Sequence, residues 1–148
     1  TGIGGLNHFM LPGELHSRQF FAEESGRYGM YAMELLINQM LKDGARRDQL
    51  TAKVFGGGHV LSGGAANIPD SNITFAMGFL DTERIPVVSS DVGGTDARKV
   101  LFFVSTARVL LKRFGGQKAA PVQREEQAYL SRISSQEKGK KDSEVTFF

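Results

Sequence analysis

Histidines are the first candidates for chemistry in this chain of 148 residues, because the sequence contains no cysteine. That absence excludes disulfides, thiolate metal sites and a thiol nucleophile supplied by this sequence itself. His8, His16 and His59 are far apart, and none is at the i, i+4 spacing of a helical metal site. The sequence therefore predicts neither a metal nor another cofactor.

His8 differs from the other histidines because it lies inside the apolar run at residues 6–11. That run, closed by Pro12 and Gly13, predicts a β-strand. Both faces of such a strand are mostly apolar, so the strand is expected in the interior. A buried imidazole needs a hydrogen-bond partner. The residues alone therefore favour a hydrogen-bonded core histidine over a catalytic base.

Asp91, Gly93, Gly94 and Arg98 form a second candidate cluster, in which an acid at a predicted strand end precedes a glycine turn and a cation. Two roles fit this pattern. The acid and the cation can form a buried salt bridge across the turn, or they can position a substrate amide. General grounds favour the structural role.

The three glycines at 56–58 follow a predicted strand, as the glycines of phosphate-binding loops do. They lack the Lys-Ser/Thr ending of a P-loop and the spaced glycines of a dinucleotide turn. A nucleotide site is therefore not predicted.

Hydrophobic periodicity predicts the elements that position these residues. Helices are expected over 28–43 and 71–82, with a marginal helix over 122–135. Further strands are expected over 50–55 and 85–91, followed by a hairpin of 100–104 and 109–113. On the second helix, Phe75, Phe79 and Leu80 are expected to face inward. The order predicts an α/β fold, a single domain with a mixed β-sheet packed against two helices and a late β-hairpin.

The domain is expected over residues 1–114, and residues 115–148 are expected to form a polar, weakly basic and flexible tail. Residues 1–111 carry 10 Lys/Arg against 11 Asp/Glu, and residues 112–148 carry 8 against 5. Nucleic-acid binding is disfavoured, because it needs clustered positive charge on the folded part. Membrane insertion is not expected, because no apolar run approaches the ~18 residues of a membrane helix. Since the sequence begins at Thr1 and not at Met, the natural amino terminus is expected upstream.

The run Gly-Leu-Asn-His-Phe-Met-Leu-Pro at 5–12 resembles the signature of the chemoreceptor glutamine deamidases, the CheD family. Further motifs of the family follow in order over residues 4–114: Tyr28-Gly29, Gly44-Ala45, Ala-Lys-Val-Phe-Gly-Gly at 52–57, Asn67-Ile68, Asn72, and Asp91-Val92-Gly93-Gly94 with Arg98. The first run together with the Asp-x-Gly-Gly turn is specific. The resemblance departs at Pro69 and Ser71, where the family has Gly and Arg.

The resemblance implies an α/β enzyme of bacterial chemotaxis, cytoplasmic and located at chemoreceptor arrays. The family hydrolyses selected glutamine amides of methyl-accepting chemotaxis receptors to glutamate and ammonia with a Cys-His-Thr triad. The histidine of the triad maps to His8, while the cysteine and threonine belong to a Gly-Ser-Cys segment upstream of the given sequence. The chain as given is therefore expected to be inactive. Supporting or substrate-positioning residues are expected at Asn7, Asp91, Gly93, Gly94 and Arg98.

The implied partners are the cytoplasmic domains of methyl-accepting chemotaxis receptors and a CheY-P phosphatase of the CheC type. An alternative function is a non-catalytic interaction module that binds the CheC-type phosphatase or the chemoreceptors. A basic-tailed nucleic-acid binder is disfavoured by the nearly neutral charge of residues 1–111. A Gly-Ser-Cys motif directly upstream of Thr1 would favour the enzyme.

Overall fold

The computed structural model describes residues 2–61, 67–115 and 120–141. Helices and strands alternate in the first part, and a hairpin and a third helix follow. The elements are α1 (Glu24–Lys42), β1 (Ala52–Gly56), α2 (Ile68–Thr82), β2 (Val87–Val92), β3 (Ala97–Phe103), β4 (Arg108–Phe114) and α3 (Ala120–Lys141), with 3-10 turns at Phe20–Ala22, Arg47–Gln49 and Val104–Thr106. The predicted α/β class is confirmed.

Phe75 of α2 is fully buried at the centre of the main core. Helix α1 approaches it closely at Gly29, where a Cβ atom would lie 2.6 Å from Cε1 of Phe75. Glycine is required there because any side chain would push the two helices apart. Four aromatic rings surround Phe75: Phe9, Phe20, Phe21 and Phe79. The inward orientation predicted for Phe75, Phe79 and Leu80 is confirmed, because all three are buried.

Parallel and antiparallel pairing are both present, but among the described residues they lie in two separate two-stranded sheets and not in the one mixed sheet that the sequence predicts. Strands β1 and β2 pair in parallel, beginning with Ala52 opposite Val87. Strands β3 and β4 pair antiparallel and end with Phe103 opposite Arg108. The hairpin is confirmed. Its loop is a 3-10 turn followed by Ala107 in the left-handed conformation, so it does not need the Asn-Gly turn of a two-residue loop.

The strand predicted over residues 6–11 is wrong, because residues 2–11 have no strand pairing and no regular secondary structure. Apolar residues of this run pack against helices and do not form part of a sheet. Leu11 is fully buried, and Phe9 packs edge-on against Phe75 of α2. Side chains that pack on helices need no partner strand, and the alternation in the sequence does not distinguish the two cases.

Helix α1 begins at Glu24, four residues before its predicted start at Tyr28. The cause is a tertiary contact. Gly26 lies against the backbone of the Phe20–Ala22 turn so closely that a Cβ atom would be 1.8 Å from the carbonyl oxygen of Phe20. The polar first turn of α1 is therefore stabilised by packing that periodicity does not register.

Helix α2 begins at Ile68, before its predicted start at Ser71, and has Pro69 in its first turn, where a missing N–H costs no hydrogen bond. Helix α3 includes the helix expected over 122–135 and extends beyond it. The flexibility expected of residues 115–148 stays a prediction. Residues 116–119 and 142–148 of that tail lie outside the described residues.

Candidate functional site

Asn7 and His8 lie on segment 2–11, which has no regular secondary structure and is hydrogen-bonded to both α1 and α2. The backbone N–H of Leu11 donates to Oδ1 of Asn72 on α2 at 2.8 Å. The side-chain amide of Asn7 donates to Sδ of Met33 on α1 at 3.6 Å. With Leu11 also fully buried, the backbone on either side of His8 is held in place.

The imidazole of His8 is exposed, in contrast to the interior position expected for it. Among the described residues, no strand pairs with segment 2–11. The hypothesis of a hydrogen-bonded core histidine is therefore wrong. An exposed imidazole on an anchored backbone can instead exchange a proton with a group brought beside it.

Tyr129 of α3 faces His8, with ring centroids 6.1 Å apart and planes within 10° of parallel. The hydroxyl of Tyr129 lies 3.2 Å from the hydroxyl of Tyr28 on α1. These contacts place α3 over the surface beside His8. Sequence reasoning missed Tyr129, because no local pattern connects two residues so distant along the chain.

Asn7 lines a mainly apolar cleft of about 300 Å³ that is enclosed by segment 2–11, α1, β1 and the hairpin. Met33 and Met40 contribute from α1, and Val100 and Phe102 contribute from β3. His8 is not among the lining residues. Asn7 therefore lies in the cleft, whereas the imidazole of His8 lies outside it and is exposed.

Arg98, the second residue of β3, bonds across the turn between β2 and β3 to Asp91 of β2 and to Gly93 in the turn. Its Nε donates to Oδ1 of Asp91 at 2.8 Å, and its Nη2 donates to the carbonyl oxygen of Gly93 at 2.7 Å. Its Nη1 donates to the carbonyl oxygen of Asp96 at 3.1 Å. The Arg98 side chain is only 7% exposed. This geometry supports the structural role, and the substrate-positioning role stays a prediction.

Asp91 lies between two guanidinium groups, since Arg113 of β4 donates from Nε to its Oδ2 at 3.0 Å. Hydrogen bonds from Arg113 and from Arg98 hold the pKa of Asp91 below its ordinary value of 3.8. The same carboxylate raises the pKa of Arg113. Both shifts have the same cause, which is that each charged form stabilises the other. A charged Asp91 therefore connects β2 to both strands of the hairpin.

Gly93 has a φ of 77° and Gly94 a φ of 72°, both in the left-handed region that favours glycine. Their turn forms backbone hydrogen bonds with the end of β1 and with the residue that follows the glycines at 56–58. The N–H of Gly93 donates to the carbonyl oxygen of Gly56 at 2.9 Å, and the N–H of His59 donates to that of Gly94 at 2.8 Å. The glycines at 56–58 thus allow two turns to approach each other.

The remaining histidines lie in exposed surroundings. Nε2 of His59 is 3.2 Å from Oδ1 of Asp70. The backbone N–H of His16 donates to the carboxylate of Glu23. Hydrogen bonds from the Ser17 hydroxyl and from the His16 N–H lower the pKa of Glu23.

The predicted site residues fall into two groups, Asn7 with His8 and Asp91 with Gly93, Gly94 and Arg98. Within the described ranges, no hydrogen bond, ion pair or ring contact joins Asn7 or His8 to Asp91 or Arg98. In the same ranges, no three His, Asp or Glu side chains gather as ligands of a metal ion. None of the described helices combines the length and apolar character needed to cross a membrane.

Comparisons with known proteins place the amino-acid sequence in a family. Residues 10–113 match the family model CheD, which is described as CheD chemotactic sensory transduction. The matched range includes Asp91, Gly93, Gly94 and Arg98, and it begins two residues after His8.

Curated relatives extend the similarity. A probable chemoreceptor glutamine deamidase CheD of Methylobacillus flagellatus is 47% identical over 137 residues, which cover 91% of this chain and 68% of the relative. A protein of the same name in Thiobacillus denitrificans is 48% identical over 136 residues, which cover 91% and 67%. A third, in a Caulobacter species, is 51% identical over 109 residues, which cover 74% and 56%. The aligned part of the chain thus spans about two thirds of the first two relatives. The extent of these matches shows that the chain belongs to the CheD family.

Proposed function

We propose that this chain forms the larger part of a chemoreceptor glutamine deamidase in which His8 is the general acid–base residue. The observation that carries the proposal is the placement of His8. Its imidazole is exposed, while Leu11, three residues later, is fully buried and hydrogen-bonded to Asn72. A proton-transferring group needs access to its substrate and a fixed position, and His8 has both.

The reaction needs a nucleophile that this sequence does not contain. A side-chain amide is a poor electrophile, and a thiolate is the nucleophile that the family resemblance implies. His8 would accept the thiol proton as sulfur attacks the glutamine carbonyl carbon, and then deliver that proton to the departing ammonia. Water would next attack the thioester, with His8 as base, to release glutamate and the thiol. We infer that a segment outside the given sequence contributes the thiol.

The substrates that we propose are glutamine side chains on the cytoplasmic domains of methyl-accepting chemotaxis receptors. The names of the relatives, chemoreceptor glutamine deamidases, support this choice. With such a substrate, the protein would act in the cytoplasm, at chemoreceptor arrays.

The test compares two proteins on a receptor cytoplasmic fragment. One is the chain as given, and the other carries in front of Thr1 the cysteine-containing segment of a family member. Ammonia release and the mass of the receptor peptides report conversion of glutamine to glutamate. The first protein should be inactive, because it has no thiol, and the second should be active. Turnover by the chain alone, or none by the extended protein, would exclude the proposed mechanism.

His8→Asn in the extended protein isolates the role of the histidine. Asparagine is similar in shape and forms hydrogen bonds, yet it does not transfer protons near neutral pH. Turnover should fall by at least ~10² at an unchanged melting temperature. His16→Asn is the matched control, because His16 is also an exposed histidine and should leave turnover unchanged. Near-parental turnover of the folded His8→Asn protein would remove His8 from the mechanism.

A second function is favoured by one observation, the absence of cysteine from the sequence. A chain of this family without a nucleophile can still act as a binding module for a CheC-type phosphatase or for chemoreceptors. Co-sedimentation of the chain as given with a CheC-type phosphatase tests this alternative. Binding by the chain as given, combined with inactivity of the extended protein, would favour the module over the enzyme.

A further inference from the structure

The outward side of the β3–β4 hairpin carries an exposed apolar and basic surface. Residues directly opposite each other in an antiparallel pair point to the same side of the sheet. The register pairs Lys99 with Lys112, Leu101 with Leu110 and Phe103 with Arg108. These six residues, all exposed, define the outer hairpin face.

Three large apolar side chains on this face are in contact with solvent. Leu101 is 50% exposed, Phe103 is 46% exposed and Leu110 is 45% exposed. Single exposed leucines are ordinary, but these three occupy adjacent positions on one ribbon. The alternate residues of the hairpin already have a role, because Val100, Phe102 and Val109 line the cleft against α1 and β1. A hairpin with one packed side normally has a polar outer side, so the apolar outer residues need an explanation.

The charges of the outer hairpin face are all positive. Lys99 and Lys112 are directly opposite each other, and this arrangement is destabilising because their like charges repel. Arg108 lies at the other end, with its guanidinium carbon 5.8 Å from the centre of the Phe103 ring. Among the described residues, no ion pair joins any of these three cations to a carboxylate. Within the described part of the chain, the face therefore offers positive charge without an ion-pair partner at both ends of an apolar centre.

The dimensions of the face fit a single helix. Strand β3 has 7 residues, so it extends about 23 Å at ~3.3 Å per residue. Two strands about 5 Å apart present a ribbon of side chains about 10 Å wide, which is close to the diameter of an α-helix. A planar lipid surface fits less well, because residues 1–114, which include the whole hairpin, carry 12 basic against 11 acidic residues and provide little general attraction to it.

We infer that the outer hairpin face is a docking surface for an acidic amphipathic helix of a partner protein. The apolar stripe of that helix covers Leu101, Phe103 and Leu110. Carboxylates beside the stripe pair with Lys99 and Lys112 at one end and with Arg108 at the other. The inference does not depend on catalysis, since the surface shares no residue with His8 or its surroundings.

The probe is a fluorescent helical peptide with a leucine stripe flanked by glutamates, and fluorescence anisotropy reports its binding to the full chain. The same peptide with lysine flanks should bind far more weakly, because it meets like charge. Substituting Leu101→Ser together with Phe103→Ser should weaken binding by at least about tenfold, the effect of losing a binding hot spot. Leu35→Ser is the matched control, because Leu35 is 60% exposed on α1 and should leave binding unchanged.

Charge reversal is a second variant whose effect does not depend on the apolar residues. Lys99→Glu with Lys112→Glu should weaken binding of the glutamate peptide and strengthen binding of the lysine peptide. Circular dichroism confirms that each variant is folded. Equal binding of both peptides, or equal losses in the Leu35→Ser control, would overturn the inference.

Two other occupants are outcomes of the same experiment. Vesicles of phosphatidylserine and phosphatidylcholine test a lipid surface, and vesicle binding that the two serine substitutions abolish, without peptide binding, would overturn the inference. A chain ending at Gly115 tests the protein's own tail. Peptide binding that appears only in this shortened chain would show that the tail, and not a partner, occupies the face.

Discussion

The rings of His8 and Tyr129 are stacked within 10° of parallel at a centroid distance of 6.1 Å. Tyr129 belongs to α3, which begins at Ala120, beyond the matched family range of 10–113. A helix outside the matched range thus reaches the histidine that we propose as the general base. The hydroxyl contact between Tyr129 and Tyr28 holds that ring against α1.

Replacing Tyr129 with alanine should increase the access of solutes to the His8 ring. We expect faster modification of His8 by diethyl pyrocarbonate, measured by peptide mass spectrometry, while His16 and His59 react as before. The stability loss should be about 1 kcal/mol or less, the value of one aromatic pair. Tyr31→Ala is the control, because Tyr31 is exposed on α1. Equal His8 reactivity in both variants would contradict this role of Tyr129.

Arg98→Ala should destabilise the turn between β2 and β3, because Arg98 is nearly buried and bonded to one carboxylate and two carbonyl oxygens. We expect a loss of about 2 to 3 kcal/mol in the free energy of unfolding, measured in urea. Arg98→Lys should not restore it, because one ammonium group does not reproduce the guanidinium fork. Arg113→Ala should cost less, because the Arg113 side chain is 55% exposed. An equal or smaller loss for Arg98→Ala would show that its buried bonds contribute little.

The ion pairs of Asp91 should make stability depend on pH in the acid range. Hydrogen bonds from Arg113 and Arg98 lower the pKa of Asp91 in the folded protein below its ordinary value of 3.8. A lowered folded pKa means that this stabilisation is present above pH 3.8 and is lost as the pH falls below it. The difference in melting temperature between the parent protein and Asp91→Asn should therefore be constant from about pH 7 to pH 5 and shrink toward about pH 3. A difference that stays constant down to the lowest pH would exclude an ionic origin.

Deleting residues 116–148 should leave the domain folded. The contacts of α3 with the domain that the structure describes join Tyr129 to His8 and Tyr28, and Gln123 to the carbonyl oxygen of Val60. We expect the chain ending at Gly115 to lose less than about 2 kcal/mol of unfolding free energy in urea. A larger loss, or failure to fold, would show that α3 belongs to the domain.

Local patterns were sufficient to predict most of the regular elements. The apolar stripe of α2 predicted that Phe75, Phe79 and Leu80 are buried, and all three are. Periodicity works here because a helix or hairpin that packs on one side needs apolar residues at fixed intervals. The residues of segment 5–12 and the Asp91–Arg98 turn also indicated the family, because short motifs are carried by the sequence itself.

What only the tertiary structure decided concerns residues whose surroundings come from distant parts of the chain. The sequence placed His8 inside a strand, and the structure exposes it, because Leu11 and Phe9 pack on helices instead of a neighbouring strand. The start of α1 depends on the contact between Gly26 and Phe20, and the ring beside His8 comes from α3. Burial and side-chain contacts are set by which elements meet in space, and the period of one segment holds no information about its distant partners.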